Sequence, residues 1–127
     1  MSYTIKNLRA VEDAAVKGGF SETQEAHFAT ADLDARATGL SYHVVRPGRH
    51  QAFGHRHEEA EEVYVVLSGS GRIKLDGEAV EIGPLDAVRV APEVARGFEA
   101  GPEGLEVLAF GPHHSGDGEL LPDFWDD

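Results

Sequence analysis

From Leu40 onward the apolar residues come in short runs with period-two alternation, separated by glycine and proline, the pattern of antiparallel strands with one buried face. Leu40 to Arg46 predicts a strand ended by Pro47-Gly48. Glu62 to Leu67 is apolar at nearly every position and predicts a central strand, broken by Ser68-Gly69-Ser70-Gly71. Arg72 to Leu75 and Glu78 to Ile82 alternate on either side of Asp76-Gly77, which predicts a two-residue type I′ hairpin with positive φ at both turn positions. Asp86 to Ala91 and Leu105 to Phe110 supply two more strands, with Gly101-Pro102-Glu103-Gly104 as a connecting turn.

The first thirty-odd residues carry a weaker pattern. Val11 to Lys17 reads as a short helical turn closed by Gly18-Gly19, Ala26 to Thr30 reads as a strand, and no chemistry is assigned to either. With regular strands, no internal repeat and almost no helical periodicity, the candidates are a sandwich, a jelly roll or a small barrel. The 127 residues fit one domain, with a barrel core at about 38–112, an N-terminal extension at 1–37 and a C-terminal tail at 113–127. Leu120, Leu121, Phe124 and Trp125 are costly to leave in water, so the tail is expected to dock on the barrel or on a neighbouring subunit.

Charge narrows the partners. Eleven Lys and Arg against 23 Asp and Glu give a net charge of −12, which repels nucleic acid and anionic lipid. The chain has no cysteine, so disulfides and thiolate ligands are excluded and any metal must be held by nitrogen and oxygen. Residues 1 to 20 lack the apolar run of a signal peptide or membrane span, and a cytoplasmic location is expected.

One constellation suits chemistry. His55 and His57 are one residue apart, so on an extended segment both imidazoles project from one face, and Glu62 follows at the head of the central strand. Two imidazoles and a carboxylate make a facial ligand set for Fe, Mn, Zn, Ni or Cu that leaves positions open for water or substrate.

These residues sit within Pro47-Gly48, His55-Arg56-His57, Glu61-Glu62-Val63-Tyr64-Val65-Val66-Leu67, Gly69, Gly71 and Asp76-Gly77, a stretch that resembles the first motif of the cupin superfamily. The resemblance implies an all-β jelly-roll barrel, the double-stranded β-helix, with His55, His57 and Glu62 as metal ligands. Glu61 is the alternative carboxylate, but only Glu62 places Gly69 correctly. The motif's leading glycine aligns with Phe53 or is displaced to Gly48. The second motif, aligned over Leu85 to Phe98, departs further: its last histidine is Arg96, which has no lone pair to offer a metal. The whole chain is also similar to small bacterial cupins with arginine at this position.

The expected protein is a homodimeric cupin that binds a small polar or anionic molecule in the barrel mouth, with Arg96, Tyr64 and Phe98 as ligand-binding residues beside the metal ligands. If it is an enzyme, the resemblance implies a metal-dependent oxygenase, isomerase or lyase. The alternative is a metal-free binding or regulatory module that uses Arg96 and the histidines. His43 and His50 are expected to be structural or surface residues, and His113-His114 solvent-exposed.

Overall fold

The computed structural model describes residues 2–125; Met1, Asp126 and Asp127 of the expected 1–127 domain lie outside the described residues. Its elements in chain order are a 3-10 turn (Leu8–Ala10), α1 (Ala14–Gly18), β1 (Gln24–Phe28), β2 (Thr38–Val45), β3 (Gly54–His57), β4 (Glu62–Leu75), β5 (Glu78–Ile82), β6 (Ala87–Val90), β7 (Arg96–Pro112) and β8 (Gly118–Leu121). All pairings are antiparallel. One path runs β1-β2-β7-β3-β8, and β4 pairs with β5, β6 and β7. The sheet thus curls into the jelly-roll barrel that the sequence predicts.

Two long strands accomplish the curl, and both correct the sequence reading. The glycines from Ser68 to Gly71 do not end β4: the strand continues through them with register shifts at Val66/Ser68 and Gly69/Gly71. A methyl group on Gly69 would lie 2.0 Å from the Gly104 carbonyl oxygen, so only glycine permits this approach. Gly101 to Gly104, expected as a turn, lies inside β7 for the same reason. The β4–β5 hairpin forms at Asp76-Gly77, but only Asp76 has positive φ, at 53°, so it is not type I′. Asp76 is held by Ala95 instead, donating its N–H to the Ala95 carbonyl and accepting the Ala95 N–H on Oδ1.

Alternation along β4 and β7 fills the interior with Tyr64, Val66, Ile73, Phe98, Leu105, Val107 and Ala109, joined by Val45, Ile82 and Val90. The barrel reaches beyond the expected core, because β1 pairs with β2 at one edge and β8 with β3 at the other. In the N-terminal extension, Asp13 caps α1 through the Ala15 N–H and Gly19 ends it at φ 84°. The tail docks: Phe124 lies over Gly54, Trp125 stacks on His50 at 4.5 Å, and Lys74 sits over the Phe124 ring at 4.6 Å. Among the described residues no helix is long and apolar enough to cross a membrane.

Candidate metal centre and cavity

β3 and the head of β4 bring the predicted ligands together. His55, His57 and Glu62 can place ligand atoms within 4.8 Å of one another. Glu62 Oε1 lies 3.2 Å from His55 Nε2 and 3.1 Å from His57 Nε2. The same oxygen accepts from the Tyr64 hydroxyl at 2.5 Å and from Arg96 Nη2 at 3.1 Å. Burial alone would raise the Glu62 pKa, but the surrounding hydrogen bonds and charge prevail and hold it well below the usual carboxylate range. Burial and the Glu62 charge push the Tyr64 phenol above its ordinary value, so Tyr64 remains a donor.

Arg96 does not face the cavity. It opens β7 opposite His55, is fully buried, and directs its guanidinium at the wall: Nε donates to Tyr64, Nη1 to the carbonyls of Pro92 and Val94, and Nη2 to Glu62. Phe98 packs edge-on against Tyr64 in the core. Arg96 and Phe98, expected as ligand-binding residues, stand behind Tyr64, the guanidinium making four hydrogen bonds to the wall and the ring packing in the core. Of the three, Tyr64 alone lines the cavity.

The cavity measures about 310 Å³, and His55, His57, Glu62 and Tyr64 form one wall of it. The remaining lining is chiefly apolar, with Phe20, Phe28, Phe53 and Leu120 among its larger members. Ala14, Ala15 and Phe20 come from the N-terminal extension, so the segment given no chemistry in the sequence reading supplies a wall. His43 also lines it, and burial lowers its pKa to about 4, which keeps it neutral near pH 7. A smaller chamber of about 150 Å³ meets the same His57 and Glu62 from the side of His113 and His114.

Behind His57 stands a residue that sequence reasoning missed. Asp117 Oδ2 lies 3.2 Å from His57 Nδ1 and also accepts the Ala60 N–H, while Oδ1 accepts those of Glu58 and Glu59. Burial raises the Asp117 pKa and the three backbone donors more than offset it, so the group stays ionised. No local pattern marks Asp117, which lies 60 positions from His57.

The family model of the cupin domain matches residues 41–111, more than half of the chain. The chain is a cupin. Similar solved structures share its fold. A cupin protein from Bacteroides fragilis aligns with TM-score 0.72 at 22% identity, over 91% of this cupin and 88% of that chain. The polyketide cyclase RemF from Streptomyces resistomycificus gives TM-score 0.72 at 22% identity, over 94% and 84%. Streptomyces Pac13, a nucleoside dehydratase, gives TM-score 0.65 at 19% identity, over 78% of each. No curated protein matches this cupin.

Proposed function

We propose that this cupin holds a divalent metal ion at His55, His57 and Glu62 and uses it to engage a small molecule with an apolar body and a polar end. The observation that carries the reading is the buried His57 Nε2. It lies 3.1 Å from Glu62 Oε1, yet finds no hydrogen-bond partner among the described residues. Two groups that attract cations face each other, and a metal ion between them satisfies both. The spacing supports this, since ligand atoms at right angles on an ion with bonds of about 2.1 Å stand about 3 Å apart.

Fe, Mn, Zn, Ni and Cu all suit the donor set. When bound, such an ion supplies Lewis-acid polarisation of a ligand oxygen or a water of lowered pKa. The chain's own residues have distinct parts. Arg96 offsets the Glu62 charge, Tyr64 holds Oε1 in place, and the phenylalanines exclude water from the ligand's apolar body. This lining shifts the expected ligand from a polar or anionic molecule to one that is apolar at all but one end. If the ligand is turned over, oxygenase, isomerase and lyase chemistry are the classes in view; enzymes among the similar structures support turnover.

A metal-free binding pocket is the second reading, favoured by one observation: Glu62 already receives a buried cation from its own chain. Metal analysis of protein purified without a histidine tag separates the two. We expect about one equivalent in the wild type and none in the His55→Ala/His57→Ala variant, as neutral imidazole ligands require. No metal in either ends the metal reading.

The assembly we propose is a homodimer. Leu40, Phe110 and Val63 are neighbours across β2, β7 and β4 on the outer face, and Phe110 is exposed at 37%. A light-scattering mass of one chain would remove this proposal.

A further inference from the structure

We infer that Asp117 is a positioning residue that holds His57 in the tautomer with hydrogen on Nδ1 and a lone pair on Nε2. The inference rests on the metal-holding reading only for what that lone pair receives.

The Asp117 carboxylate has four neighbours, and three of them are backbone N–H groups that can only donate: those of Glu58 at 3.1 Å, Glu59 at 2.9 Å and Ala60 at 2.9 Å. The fourth is His57 Nδ1 at 3.2 Å. A carboxylate without a proton accepts only, so Nδ1 must carry the hydrogen. Nε2 makes no aligned hydrogen bond, although Glu62 Oε1 lies 3.1 Å away. That leaves Nε2, 3.1 Å from Glu62 Oε1, as the ring nitrogen to offer a lone pair.

The placement of Asp117 explains why the tail belongs to the site. Asp117 immediately precedes β8, which pairs with β3 so that Gly118 stands opposite His57. The Glu58 N–H also donates to the Asp117 carbonyl, which fixes the tail backbone beside the ligand strand. Seating the tail and orienting the ligand are thus one event. A carboxylate behind a metal-binding imidazole sets the tautomer and raises the basicity of the ligand nitrogen.

Asp117→Asn keeps the size of the side chain but replaces one acceptor oxygen with an NH₂ donor. The test is the nitrogen NMR spectrum of ¹⁵N-histidine-labelled, metal-free protein, together with titration by Zn(II) alone. The wild type should show His57 with a protonated Nδ1 and an unprotonated Nε2. Asp117→Asn should move the hydrogen to Nε2 and weaken Zn(II) binding by about 10- to 100-fold. A wild-type His57 protonated on Nε2, or an unchanged tautomer in Asp117→Asn, overturns the inference. The wild-type spectrum decides the matter alone if the variant does not fold. A wild type with the expected tautomer that binds no Zn(II) removes the metal reading and leaves the positioning role standing.

Discussion

Arg96 Nη2 donates to Glu62 Oε1 at 3.1 Å, and the guanidinium that does so is wholly buried. The family's second motif would place histidine here. The arginine instead makes a buried ion pair whose remaining donors reach Tyr64 and two carbonyls, so its first effect is on the integrity of the site wall.

Truncating Arg96 should therefore destabilise the fold. Arg96→Met leaves Glu62 without its cation, and the expected loss is about 3–5 kcal/mol in urea unfolding, the range for breaking a buried pair. Adding Glu62→Gln should recover part of that loss, because the uncompensated charge is gone. A single variant as stable as the wild type would show that the pair is not needed.

Gly54 has a different duty. A methyl group there would meet Phe124 Cγ at 2.4 Å. Gly54→Ala should push Phe124 off the barrel, cost about 1–3 kcal/mol, and expose the tail to protease. Unaltered proteolysis of the segment after Pro112 would argue against this docking.

A third consequence concerns pH. Both ring nitrogens of His27 meet acceptors, Nδ1 at 2.7 Å from the Val11 carbonyl and Nε2 at 2.9 Å from Glu25, which Arg46 also pairs. Burial lowers the His27 pKa, but the Glu25 and Val11 contacts and the nearby Asp13 outweigh it, and the net shift is upward. Stability from a raised pKa is fully present below the unfolded value of about 6.5 and is lost as pH rises through the folded value. His27→Gln should therefore cost more stability at about pH 5.5 than at about pH 8.5. Equal costs at the two pH values would contradict the assignment.

Much of the barrel was legible in the chain because strand alternation is local. Period two placed His55 and His57 on one face, and the Asp-Gly pair located the β4–β5 hairpin. The same local reading mistook Gly69, Gly71, Gly101 and Gly104 for chain breaks, because Gly69, Gly71 and Gly101 let β4 and β7 pass closely while Gly104 takes a positive φ within β7, and that approach exists only once the strands pair. Nor could it show that Arg96 bonds Tyr64 and Glu62.

The sequence by itself determined the strand content, the absence of thiolate ligands and the donor set His55, His57 and Glu62. Only the tertiary structure decided what surrounds that set. Register across the sheet turned Arg96 toward Glu62 and Tyr64, and the pairing of β8 with β3 brought Asp117 to His57 over 60 positions. The docked N-terminal extension closed an apolar wall over the site. The physical reason is reach: side-chain alternation is dictated by neighbours in the chain, whereas hydrogen-bond partners of buried charges are dictated by whichever strands the fold brings within about 3 Å.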